Sequence, residues 1–277
     1  MAENQFQLPQ AHTGANVSTS ALRPERPLLI ALEGIDLSGR TTQVELLRDW
    51  LTAQRYHVTT TAWRTSPLIS DVLTRARLGP PLRPLTYSLL YCADHMDRTQ
   101  QVIKPALHRG EIVLADRYTY TAFARDTARG LDAAWVRDLY RFSIPPDVVY
   151  YLHISPEEAV KRRLALQRQR LEKVEKSAGI DGGRRGEKGE GRTRGKVDNR
   201  SKEPEKKQAQ INTTMPAPIL TGEALESYRN FEIKMYSQYQ NMQKEFEFSV
   251  IEGNQSIDQV QAMLRRAITN LILNINA

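Results

Sequence analysis

Short apolar runs alternate with longer stretches in which apolar residues recur every three or four positions. Leu28–Leu32, Ile112–Ala115 and Val148–Ile154 are unbroken apolar runs, Tyr56–Trp63 is rich in β-branched residues, and Phe248–Ile251 forms one more run. Runs of this length predict strands buried on both faces. Between them the period changes. Val44, Leu47 and Leu51 share a helical face, and a short helix follows Pro67. Thr86–Arg98 and Val102–Arg109 continue the pattern until Gly110, a residue suited to a left-handed helix end. Ala133–Phe142 reads as a helix ended by Pro145-Pro146. Ser155-Pro156-Glu157-Glu158 is a capping box with proline at the first helical position. Leu225, Tyr228, Phe231, Met235, Tyr239, Met242 and Phe246 mark a long helix, and Ser256 with Gln259 caps a last one through Ile257, Val260, Leu264 and Leu271. Strands alternating with helices predict an α/β fold of three layers, a parallel sheet with helices on both faces.

Two stretches break the rhythm. Residues 1–26 are polar without an apolar period and read as a disordered leader; residues 27–277 read as one domain, interrupted from about Leu171 to Met215. That interruption is rich in Gly, Lys, Arg, Glu and Ser, lacks aromatic residues, and predicts a mobile insertion. It also explains the charge. Of the formal +7, an excess of six comes from residues 168–207, where fourteen Lys and Arg face eight Asp and Glu. Nucleic-acid contact through this basic segment is one reading, but without interleaved aromatic residues a solvated loop lacking a partner is the favoured one. The single cysteine, Cys92, excludes an internal disulfide framework and a Cys-rich metal site. No apolar stretch approaches a bilayer span and the N-terminus lacks a secretory layout, so no membrane contact and a cytoplasmic setting are expected.

The chemistry is concentrated after the first strand. Gly34-Ile35-Asp36-Leu37-Ser38-Gly39-Arg40-Thr41-Thr42 follows a strand, opens a helix, and matches the phosphate loop G-x-x-x-x-G-K-[ST] except that arginine stands in the lysine position. Gly34 and the backbone N–H groups of Leu37, Ser38, Gly39, Arg40, Thr41 and Thr42 are candidates to cradle the phosphates of a nucleotide, and Thr41 to hold Mg²⁺. Arginine keeps the charge but replaces a compact ammonium with a planar fork. Asp116 ends the third strand of the sequence, at the edge where open α/β sheets bind ligands, and is a second candidate for the metal.

With the order of elements established, residues 27–272 outside the insertion resemble the thymidylate kinase family of P-loop nucleoside monophosphate kinases. Glu33–Gln43 is similar to that family's E-G-x-[DE]-x-[SA]-G-K-[ST]-T, and Asp116-Arg117-Tyr118 to its D-R-[YFH]. The resemblance implies a three-layer P-loop kinase fold and transfer of phosphate from ATP, with Mg²⁺, to a nucleoside monophosphate, dTMP by the family's preference. It implies that Asp36 meets the acceptor sugar, that Arg64 and Arg117 grip the acceptor phosphate, and that Tyr91 stacks on the base. His95 stands where the family has its base-contacting arginine. Arg125-Asp126 replaces an aromatic followed by Gln or Thr, so the acceptor pocket is expected to be remodelled around Arg125. Arg40, Asp116, Arg117 and Arg163, the last from the basic cluster Lys161, Arg162, Arg163, Arg168 and Arg170, are the candidate catalytic residues. A homodimer is a further family expectation. The departures at Arg40, His95 and Arg125-Asp126 leave an alternative open, a nucleotide-binding regulatory or assembly module of the same fold with weakened transfer. Because residues 178–210 carry no apolar period, their deletion is expected to leave a folded protein. Thermal unfolding of the shortened chain should stay cooperative with a nearly unchanged midpoint.

Overall fold

The computed structural model describes residues 26–78, 81–177 and 219–275. All but Arg26 of the expected leader, and most of the expected insertion, lie outside the described residues. β1 (Leu28–Glu33), β2 (Val58–Ala62), β3 (Ile112–Asp116), β4 (Val148–His153) and β5 (Ser249–Glu252) form one parallel sheet in the order β2-β3-β1-β4-β5. Its register sets Ala62 and Leu32 beside Asp116, and Leu32 beside Tyr150, so the strands end nearly level. After β3 the chain crosses to the other edge of β1 to lay down β4, and this reversal opens a crevice above the carboxyl end of β1.

Alternate side chains of each strand feed opposite cores, which is why the strands read as unbroken apolar runs. Leu28, Ile30 and Leu32 pack under α1 (Arg40–Ala53) and α9 (Ile257–Ile275), with Leu47, Leu51, Leu264 and Ile268 fully buried. Leu29 and Ala31 face the other side, against α4 (Lys104–His108), α5 (Thr119–Ala128) and α8 (Gly222–Glu245). A third cluster joins Trp63, Leu73, Tyr91, Ala122, Val136 and Tyr140 between α2 (Ser70–Leu78), α3 (Pro84–Arg98), α5 and α6 (Ala133–Leu139). The cap at Ser256 forms as a full box, whereas at Ser155 only one of the two bonds forms and the Glu158 carboxylate pairs with Arg162 instead. Glu158 N–H donates to Ser155 Oγ at the start of α7 (Pro156–Ser177), while Ser256 and Gln259 bond reciprocally at α9.

The structure departs from the sequence expectation in three places. Thr86–Arg98 and Val102–Arg109 are one continuous rod in which Thr99–Ile103 form a π-helical turn before α4. Pro105 has no N–H to give the Gln101 carbonyl, and its ring crowds that carbonyl, which accounts for the widened turn. Helix α5 has no apolar period to announce it, because its buried face includes Thr119, Thr121, Arg125 and Asp126. Helix α7 runs on to Ser177, so the first residues of the segment expected to be mobile are helical. No described helix is long and apolar enough to cross a membrane.

Candidate active site

The loop after β1 is built on constrained backbone. Gly34 has φ 147°, and a Cβ there would meet the Leu152 carbonyl at 2.6 Å, so only glycine fits. Gly39 at φ 97° precedes the first turn of α1, whose N–H groups point into the loop. Leu37 adopts φ 62° without being glycine. Arg40, 6% exposed, turns its guanidinium back under the loop. Nη1 donates to the Gly34 carbonyl, to the Ile35 carbonyl at 2.7 Å and to Ser38 Oγ at 3.1 Å, and Nε lies 3.4 Å from Asp116 Oδ1. The side chain expected to reach out to phosphate thus braces the loop from within. Thr41 Oγ1 donates to Asp116 Oδ2 at 2.5 Å, which joins the two candidate metal ligands. Asp116 Oδ1 makes no hydrogen bond and rests on the ion pair with Arg40. Among the described residues no group of three His, Cys, Asp or Glu side chains could hold a metal, so a cation here would depend on Thr41, Asp116 and substrate oxygens.

Glu33, fully buried at the end of β1, fixes the next element. Its carboxylate accepts from Tyr118 N–H at 2.8 Å, Thr121 N–H at 3.0 Å, Thr121 Oγ1 at 2.6 Å and Tyr239 Oη at 2.7 Å. Tyr118 is the N-cap of α5 and Thr121 its third residue, so a carboxylate from β1 caps a helix that the sequence left without a side-chain cap of its own. Arg117 is held between β3 and that helix at φ 72°. Its Nη2 pairs with Asp36, and Nη1 reaches Thr121 Oγ1 at 3.4 Å. Asp36 N–H donates to Glu232 Oε2 at 3.0 Å. Burial, together with the neighbouring Asp36 carboxylate, pushes the Glu232 carboxyl up to about 8.

A cleft of about 490 Å³ opens here, lined by Asp36, Arg64, Tyr91, Arg117 and Arg125 among the expected acceptor residues. Arg64 has φ 67°, and its N–H donates to Asp94 Oδ2 at 2.9 Å. Asp94 also accepts from Ser66 N–H and from Arg98 Nε at 3.0 Å, a fully buried ion pair on α3 that pins the β2 turn. Tyr91 stacks on Tyr87 with centroids 4.4 Å apart. His95 does not reach the cleft. It is fully buried among Trp63, Tyr118 and Tyr140, with Nε2 2.9 Å from Ser143 Oγ. Burial foremost, then the Arg98 charge, pushes its imidazole down to about 3, so it is neutral. One helical turn after Tyr91 on the same face of α3, position 95 lies deeper, packed against Trp63 and Tyr140.

A second cleft of about 510 Å³ runs along Leu37–Gln43 between α7 and the start of α9. Arg162 lines it, donating to the Leu37 carbonyl at 3.1 Å and the Gly253 carbonyl at 2.8 Å. Arg163, the candidate taken from the basic cluster, lines neither cleft. Its guanidinium leans over Tyr228 of α8 at 5.6 Å, since successive helical residues point about 100° apart. Ile257, the first apolar residue of the pattern that marks the last helix, is 57% exposed and lines this cleft. The two clefts share Arg40 and Thr41. Sequence reasoning passed over Trp63, Tyr87, Thr121, Arg129 and Glu232 in the first cleft. For Glu232 a signal existed, a carboxylate on the apolar stripe of α8 between Tyr228 and Met235.

A glycine loop that opens a helix at the reversal point of a parallel sheet makes this a nucleotide-binding P-loop fold. Residues 32–180 match the family model for thymidylate kinase. The chain is 40% identical over 156 residues to a probable thymidylate kinase 2 of Saccharolobus solfataricus, covering 56% of this chain and 71% of that protein. It is 35% identical to a probable thymidylate kinase of Thermococcus kodakarensis (49% and 70% covered) and 34% identical to a thymidylate kinase of Prosthecochloris aestuarii (54% and 73%). The chain belongs to the thymidylate kinase family, whose members are nucleoside monophosphate kinases. The family match ends before α8, so the placement of Glu232 comes from the structure alone.

The buried His95 makes stability depend on pH. Its folded value of about 3 lies below the ordinary 6.5, so its contribution is complete above 6.5 and is lost as pH falls toward 3. At pH 5 this group is expected to cost about 2 kcal/mol of stability relative to pH 7.5. His95→Gln, which can keep the bond to Ser143, should flatten that part of the profile in denaturant titrations at the two pH values. An identical pH dependence in wild type and variant would show that His95 is not buried neutral.

Proposed function

We propose that the chain transfers the γ-phosphoryl group of ATP to the 5′-phosphate of dTMP, giving ADP and dTDP. The observation that carries this reading is the meeting of two clefts at Arg40 and Thr41, one along the phosphate loop and one lined by Asp36, Arg64, Tyr91 and Arg117. Two phosphates bound in these clefts converge at one point, which is what in-line transfer requires.

In this reading Gly34 and the N–H groups of residues 37–42 hold the donor phosphates, aided by the N-terminal dipole of α1. Arg40 keeps the loop open and contributes its charge from below, while Arg162 faces the donor from α7. Arg64 and Arg117 align the acceptor phosphate, and Asp36 meets the sugar. Thr41 and Asp116 offer a hydroxyl and a carboxylate, oxygen donors suited to Mg²⁺, which when bound would draw charge from the phosphates. No general base is needed, because the acceptor phosphate is already anionic near neutral pH. A homodimer in a cytoplasmic setting belongs to the same proposal; α3 turns Leu85 and Leu89, each about half exposed, outward one helical turn apart.

Coupled ADP release with dTMP, against no acceptor and against other nucleoside monophosphates, tests the activity. Arg64→Ala or Arg117→Ala should weaken use of the acceptor by about 1.5–3 kcal/mol, a charge-assisted hydrogen bond to phosphate, with ATP affinity nearly unchanged. Equal loss of both would place these arginines with the donor and contradict the assignment.

A further inference from the structure

Position 95, where the family's base-contacting arginine stands, is closed off from the acceptor cleft, yet the cleft is not short of a guanidinium at Tyr91. Arg125 enters from the opposite wall, α5. Its Cζ lies 4.0 Å from the Tyr91 ring centre, 5.0 Å from Tyr87 and 5.3 Å from Trp63. Asp126, fully buried, takes its Nε at 2.6 Å and Nη2 at 2.9 Å, and is itself held by Ser88 Oγ of α3 at 2.7 Å. The side chain is 6% exposed and lines the cleft.

A guanidinium gripped side-on by one carboxylate has a fixed plane and presents the Nη1 edge away from that carboxylate. A buried pair of this kind is expensive to desolvate and is no gain over apolar packing unless orientation matters. Guanidinium only donates. At the ring on which the base is expected to stack, the wall therefore offers donors of fixed direction. Thymine and uracil bring carbonyl oxygens to such an edge. Cytosine brings an amino group at the equivalent carbon, and two sets of donors then face each other.

Resting on the kinase reading above, we infer that Arg125, oriented by Asp126, reads the acceptor base and selects keto over amino pyrimidines, the reader having moved from α3 to α5. Arg125 is then a specificity-determining residue that touches substrate, and Asp126 a positioning residue that acts through it.

Equilibrium calorimetry of the full chain with dTMP, dUMP and dCMP tests this without any phosphoryl transfer. Wild type should bind dTMP and dUMP at least about tenfold more tightly than dCMP, as sites built to hydrogen-bond one group reject its replacement. In Arg125→Gln that ratio should fall below about threefold, because a carboxamide offers an acceptor as well as donors. If the single variant fails to fold, Arg125→Met combined with Asp126→Leu removes both buried charges together and should give the same collapse. Wild type that does not discriminate, or a ratio that survives these substitutions in folded protein, overturns the inference. The kinase reading fails on a different result, absence of acceptor-dependent ADP release from any nucleoside monophosphate.

Discussion

The carboxylate of Glu33 stands directly before the phosphate loop and has no access to water. Burial raises its pKa, against hydrogen bonds from Thr121, Tyr239 and Tyr118 that favour the charged form. A buried carboxylate is tolerable only where donors converge on it, and here the donors come from α5 and α8. One side chain therefore ties the strand carrying the donor loop to the helix start that carries Arg117 and to the helix that carries Glu232. The level strand ends set by Leu32, Asp116 and Ala62 give the same alignment in backbone terms. Donor and acceptor clefts meet because both are referred to the end of β1.

Backbone strain collects around that point. Leu37, Arg64 and Arg117 all have φ between 62° and 72°, a region that costs a non-glycine residue about 1–3 kcal/mol. Each is held by bonds from elsewhere: Arg162 to the Leu37 carbonyl, Asp94 to Arg64 N–H, and the Leu32 carbonyl to Arg117 N–H at 3.0 Å. The buried Asp94–Arg98 pair does for the β2 turn what Glu33 does for the β3 turn. Strain at these turns fixes the direction in which Arg64 and Arg117 leave the sheet.

Much of the fold was legible because each strand buries both faces and each helix except α5 keeps an apolar stripe or a capping signal. Helix α5 was hidden by polar residues on its inner face, whose partners, Glu33 and Tyr239 among them, are far away in sequence. The phosphate loop was legible as a motif, and the meeting of Thr41 with Asp116 followed from its place on the sheet. The direction of Arg40 did not, since an arginine in a lysine position can extend or fold back, and only the carbonyls of Gly34 and Ile35 decide. His95 and Arg163 illustrate the same limit. Their positions in the chain suggested the site, but the depth at which His95 is sealed in the core, one turn beyond Tyr91 on the same face of α3, is set by residues far away in sequence. So is the lean of Arg163 over Tyr228, close enough for its charge to act on Asp36. Arg125 was legible as a departure at the acceptor pocket, but the three aromatic rings around its guanidinium come from Trp63, Tyr87 and Tyr91, far away in sequence.

If Glu33 is the common reference for both clefts, its loss must be felt by both ligands at once. The direct measurement is calorimetric affinity of Glu33→Ala for ATP and for dTMP, at a temperature where the variant remains folded. Truncation leaves buried donors of α5 and α8 unpaired, an expected loss of about 1–3 kcal/mol in unfolding free energy for each group left without a partner. The account predicts that the folded variant also binds ATP and dTMP more weakly than wild type, with both affinities falling together. A variant that is less stable yet binds both nucleotides as wild type does would contradict it.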